Sequence, residues 1–193
     1  MTGGGAALWQ RLKEAPVAPA GGRGEANFAE FLADARASGH EALAALLAQP
    51  AVHALAAGVF ENSPYLAALI ARDTARFERL LTGTPEDEHV RLGQVLAAEM
   101  VQAADMSAAK RALRNYKNAV ALLSALADLG GVWPVMTVTR VLSEAADATV
   151  AQAVRFLFAR ANAAGQWTSP DPAAPEKGSG YFVLAMGKHG AFE

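Results

Sequence analysis

Residues 84–131 read TPEDEHVRLGQVLAAEMVQAADMSAAKRALRNYKNAVALLSALADLGG, and their reading decides the fold. Thr84-Pro85-Glu86-Asp87 is a helix start: a capping residue, a proline at the first turn, then acids that suit the helix N-terminus. Val90, Leu92, Val95, Leu96, Met100 and Val101 then recur at helical spacing. Asp105-Met106-Ser107 predicts a break, and Ala108–Leu129 a second long helix ended by Gly130-Gly131. A third begins after Trp133-Pro134, runs to about Ala163 and ends at Gly165. Three helices of about 18–28 residues with short connections are expected to pack as antiparallel neighbours.

Working outward, the upstream chain is helical in shorter pieces. Residues 1–26, rich in Gly, Pro and Ala, read as a flexible leader in which Leu8, Trp9 and Leu12 can dock. Asn27 is expected to start a helix to about Ala37 with Phe28, Phe31 and Leu32 on one face. Glu41–Ala48 and Val52–Phe60 follow. Ser63 and Pro64 start the next helix, and Asp73 or Thr74 another through Leu81. Residues 27–164 are thus one helical region.

Downstream the character changes. Residues 165–180 form a polar linker rich in Pro, Gly and Ser. Tyr181-Phe182-Val183-Leu184-Ala185-Met186 is then the one convincing strand, apolar throughout and bounded by glycine. Such a run wants burial on both faces of a sheet, and its backbone needs hydrogen-bonding neighbours. No upstream segment reads as a partner. The expected fold class is therefore mostly α: a helical bundle followed by the first strand of a truncated α+β domain, residues 181–193. A tail that docks on the bundle or on a second copy is the alternative.

Composition narrows the function classes. The chain has 193 residues with a formal charge of −2, which argues against a nucleic-acid-coating protein. About a quarter of the residues are Ala, far above ordinary usage, so the core is expected to be thin and filled by Ala and Leu. The absence of Cys excludes disulfides and thiolate chemistry within these residues. No apolar run reaches the roughly 18 residues of a membrane span, and a soluble cytoplasmic protein is expected. No phosphate-loop, nucleophile-elbow or H-E-x-x-H pattern occurs. The histidines, His40, His53, His89 and His189, are scattered, and no metal site is expected within this chain.

Two features carry candidate chemistry. Gly187-Lys188-His189-Gly190 follows the strand. Glycine there lets the backbone approach a phosphate, turn N–H groups can bind an anion, and Lys188 adds a point charge. An ordinary solvated turn has the same residues. Lys110, Arg114 and Lys117, with Arg111 beside them, form a basic stripe on one helix face, with Leu113, Tyr116, Val120 and Leu123 on the core side. It is either a solvated face or a cationic wall for a nucleotide. Glu144 and Asp147 are alternative partners for such cations.

The stretch Tyr181–Glu193, YFVLAMGKHGAFE, resembles the first strand and turn of the nucleotidyltransferase domain in the bifunctional glutamine synthetase adenylyltransferase/adenylyl-removing enzymes. There an apolar strand runs into G-K-x-G-x-x-E-L-N, and a turn carrying S-D-x-D follows. Gly187, Lys188, Gly190 and Glu193 match; His189 stands where many members have Leu, and Ala191 where many have Gly. Ser63-Pro64-Tyr65-Leu66 with Arg72-Asp73, and Leu113-Arg114 through Ala127-Asp128-Leu129-Gly130, are similar to the family's helical additions. The resemblance implies the N-terminal half, which removes AMP from a tyrosine of glutamine synthetase by phosphorolysis to ADP. It implies Mg²⁺ and ATP or ADP in the complete enzyme, and PII signalling protein and glutamine as regulators. It places the catalytic carboxylates beyond Glu193 and leaves Gly187 and Lys188 as phosphate-binding residues. The chain alone is then expected to be inactive. The other class of reading is a non-catalytic helical interaction module that adds its strand to a partner's sheet edge.

Overall fold

The computed structural model describes residues 5–17, 22–187 and 189. Eight α-helices occur among them: α1 (Arg23–Ala37), α2 (Glu41–Leu47), α3 (Pro50–Asn62), α4 (Pro64–Arg72), α5 (Thr74–Thr82), α6 (Pro85–Gln102), α7 (Met106–Leu129) and α8 (Val135–Ala163). A short 3-10 turn, Leu8–Arg11, precedes them. The starts follow local chemistry. The Ser63 hydroxyl accepts from Leu66 N–H at 3.3 Å, with Pro64 at the first position of α4. Asp73 accepts from Arg76 N–H at 2.9 Å and pairs with the same guanidinium at 2.7 Å. Asp105 accepts from Ala108 N–H at 2.7 Å at the expected break, and that bond holds its carboxyl below the usual Asp range.

α1 starts at Arg23, about one turn before the expected Asn27. The reason is tertiary. Gly24 N–H donates to the carboxylate of Glu61 on α3, which satisfies one of the free N–H groups of an earlier first turn. The approach is close enough that a Cβ at Gly24 would collide with the Glu61 backbone.

The chain forms two compact units. One comprises Met1–His89 with Ala121–Val138. α1 packs on α3 there, and Phe28, Phe31, Phe60 and Phe77 form a run of rings 5.4–6.3 Å apart. Leu43, Leu47, Leu55, Ile70, Leu80, Leu81, Leu122, Leu123 and Leu126 fill the rest of its core. Residues 5–17 lie against this unit: Leu8 is fully buried and its N–H donates to Gly83 O at 2.9 Å. Glu86 ties that segment to the turn before α8, accepting from Arg11 at 2.7 Å and Trp133 Nε1 at 2.8 Å. Burial pushes the Glu86 carboxyl up, but these donors outweigh it and leave it below the usual range.

The second unit comprises Val90–Val120 and Thr139–Glu193. Leu92, Leu96, Met100, Tyr116, Val120, Val141 and Phe156 are buried in it. The guanidinium of Arg160 reaches Ala104 O at 3.4 Å, so α6 and α8 bring their C-terminal ends together.

Residues 181–186 correct one expectation. No β-strand occurs among the described residues, and this segment is irregular. Its large side chains are exposed, from Val183 at 53% to Met186 at 87%. A strand needs an edge to pair with, and every other described segment of regular structure here is helix. The apolar composition reads as strand, and the pairing that would make it one is absent from the described residues.

No single described helix is long and apolar enough to cross a membrane. The apolar pair α2 and α3 is bent by 94° and contributes Leu43, Leu47, Val52 and Leu55 to the core.

Core position decides tolerance to truncation. Leu126→Ala is expected to cost about 2–5 kcal/mol, and Val101→Ala, at an exposed site, less than about 0.5 kcal/mol. Urea unfolding followed by circular dichroism measures both.

Candidate functional site

The linker and the segment after it are built onto α8 by specific contacts. Gly165 closes that helix with φ +70, and Gln166 N–H donates back to Ala161 O at 2.9 Å. Asn162 Oδ1 accepts from Ser169 N–H at 3.0 Å. Trp167 packs edge-on against Phe158, with centroids 5.7 Å apart, and donates from Nε1 to Pro175 O at 2.8 Å. Arg155 donates through Nε and Nη2 to one oxygen of Glu176, at 3.2 and 3.0 Å. That charged hydrogen bond holds the Glu176 carboxyl below its usual range.

Beyond the linker, Tyr181 packs edge-on against Phe158, with ring centroids 6.0 Å apart. Gly187 adopts φ +69, a left-handed conformation that side-chain-bearing residues rarely take. His189 Nε2 lies 3.0 Å from Asp147 Oδ1 on α8. Lys188, the predicted phosphate contact, lies outside the described residues, as do Gly190 and Glu193.

The basic stripe is exposed along α7. Lys110, Arg111, Arg114 and Lys117 face solvent, and Tyr116 behind them is buried. Burial, and then the nearby Glu144 carboxylate, push the Tyr116 hydroxyl's pKa up. Of the two acids considered as partners for the stripe, Glu144 takes Arg140 on its own helix at 3.0 Å, and Asp147 takes His189.

Two hollows accompany these features. One in the second unit, about 410 Å³, is lined by Met100, Gln152, Arg155, Phe156, Arg160 and Pro175 among others. Its guanidiniums are engaged, Arg155 by Glu176 and Arg160 by Ala104 O and the Phe156 ring. The other, about 320 Å³ in the first unit, is lined by Glu30, Asp34, His40, Phe31, Phe60 and Thr74 among others. Among the described residues no group of three His, Asp or Glu is placed to hold a metal ion.

Sequence spacing could not reveal the Asp147–His189 contact or the Arg155–Glu176 clamp. The partners are 42 and 21 residues apart and belong to no local motif.

The family model described as glutamate-ammonia ligase adenylyltransferase matches residues 53–193. That match takes in α4–α8, the linker and the glycine turn. The chain belongs to this family. A relative from Bradyrhizobium diazoefficiens, named bifunctional glutamine synthetase adenylyltransferase/adenylyl-removing enzyme, is 40% identical over 189 residues. That alignment covers 98% of this chain and 19% of the relative. Relatives of the same name from Rhodopseudomonas palustris (strain CGA009) and Xanthobacter autotrophicus are 41% and 36% identical, covering 86% and 94% of this chain and 17% and 18% of themselves. The chain thus spans about a fifth of the length of the curated glutamine synthetase adenylyltransferases it matches. No solved structure matches it.

The Glu176 clamp gives the linker an acid sensitivity. Its carboxyl titrates below the ordinary 4.5, so its stabilisation is complete above that value and is lost as pH falls through the lowered one. Glu176→Gln is expected to cost about 0.5 kcal/mol or less at pH 7, because the pair is partly exposed, and progressively less as pH falls through the lowered value. Thermal unfolding of both proteins across pH 2–7 tests the convergence.

Proposed function

We propose that this chain is the N-terminal, adenylyl-removing part of an enzyme that adenylylates and deadenylylates glutamine synthetase. The observation that carries the reading is 40% identity, over 98% of the chain, to a relative whose name states both activities. The order of helical region, apolar segment and glycine turn supports it.

In the proposed reaction a phosphate oxygen attacks the phosphorus of the adenylyl group on tyrosine. The new P–O bond makes ADP, the bond to the tyrosine oxygen breaks, and that oxygen takes a proton to restore the hydroxyl. The chain's contribution is to hold phosphate. Gly187, already at positive φ, leaves its backbone open to an oxyanion, and Lys188 supplies positive charge. The exposed stripe of Lys110, Arg114 and Lys117 is a secondary cationic face for the same nucleotide.

Mg²⁺ would stabilise charge on the attacking and leaving oxygens in the complete enzyme. Its carboxylates are proposed to belong to the S-D-x-D turn that follows Glu193 in the family, so this reading gives residues 1–193 no catalytic group. ATP or ADP is the nucleotide of the complete enzyme. Glutamine synthetase and a PII signalling protein are the proposed partners, and the cytoplasm the proposed location.

Residues 1–193 supplied with Mg²⁺, phosphate and adenylylated glutamine synthetase are expected to release no ADP above background. A chain continued through the family's S-D-x-D turn is expected to release it. Gly187→Val in that longer chain should slow release about five- to thirtyfold, since a β-branched residue at positive φ costs about 1–2 kcal/mol and crowds the turn. ADP release by residues 1–193 alone, or none from the longer chain, contradicts the proposal.

A further inference from the structure

Two contacts at opposite ends pin the segment after the linker to one helix. At its start Tyr181 packs on Phe158, and eight residues later His189 reaches Asp147. Phe158 lies nearer the C-terminal end of α8 than Asp147. The segment therefore runs along α8 in the opposite direction. Along the helix the two anchors are about 16 Å apart at 1.5 Å per residue. Eight residues of extended chain reach up to about 26 Å, so the segment spans the anchors without strain. Between them Phe182, Val183, Leu184 and Met186 are exposed and add little hold of their own.

We propose that Asp147 and His189 are a positioning pair: together with Phe158 and Tyr181 they seat residues 181–187 along α8 and so set where the Gly187 turn stands. The significance for phosphate rests on the reading of that turn given above; the seating itself does not.

The chemistry suits the task. A carboxylate only accepts, so His189 Nε2 donates to Asp147 Oδ1. The imidazole is half-buried while the carboxylate is largely exposed. Glu144, one turn earlier on α8, is engaged by Arg140 and leaves Asp147 as the acid that meets the turn.

The chain contains no Cys, so a single nitroxide can be attached at position 186 through Met186→Cys. Its mobility is read by electron paramagnetic resonance in residues 1–193, without nucleotide. Asp147→Ala and His189→Leu are each expected to raise the mobile fraction about two- to fivefold, the range that an exposed polar pair supplies. The exchange of partners, Asp147→His with His189→Asp, should return it to the starting value. The unfolding temperature of the helical body should stay unchanged in all three. Unaltered mobility in both single variants, or no rescue by the exchanged pair, overturns the proposal. Neither outcome depends on whether the turn binds phosphate, which ADP release tests separately.

Discussion

Every backbone N–H and C=O taken from water needs a partner, and from Arg23 to Ala163 this chain meets that need chiefly with helices. The irregular joints are short, and side chains or glycine serve them. Ser63, Asp73 and Asp105 accept the first N–H groups of α4, α5 and α7. Gly39, Gly131 and Gly165 close helices with positive φ. Residues 181–186 are where this solution stops. They are apolar enough for a sheet interior, yet their backbone is not paired into a ladder and their side chains face water.

The helical units then serve as a support. The first unit buries a run of four phenylalanines with many leucines, and residues 5–17 lie across it through Leu8, Arg11 and Lys13. The second unit carries the linker on α8 through a charged clamp, a tryptophan and an asparagine. The outcome is that a glycine turn stands at the end of a segment held by contacts at Tyr181 and His189. The family match, from residue 53 onward, takes in that turn.

Much of this was legible in the residues themselves. Ser63-Pro64, Asp73 and the Asp105 break announce helix starts because the caps are local chemistry. The leucine and alanine spacing of residues 84–163 announces three long helices for the same reason. The start of α1 was not legible, since Glu61 on another helix supplies the acceptor. The strand pattern of 181–186 was legible as composition but not as structure, because pairing is a property of two segments. The role of His189 was not legible. Its partner Asp147 lies 42 residues away, and no periodicity links them. The basic stripe on α7 is exposed as its spacing predicts, and exposure alone does not choose between a solvated face and a nucleotide wall.

The central proposal is that residues 181–186, irregular here, pair as a strand in a chain that continues as its longer relatives do. Amide hydrogen exchange by NMR tests it most directly. In residues 1–193 these amides are expected to exchange close to the unfolded rate. In a chain continued through the family's following strands they are expected to become as protected as the helices. Protection in residues 1–193 alone, or fast exchange in the longer chain, would contradict the account.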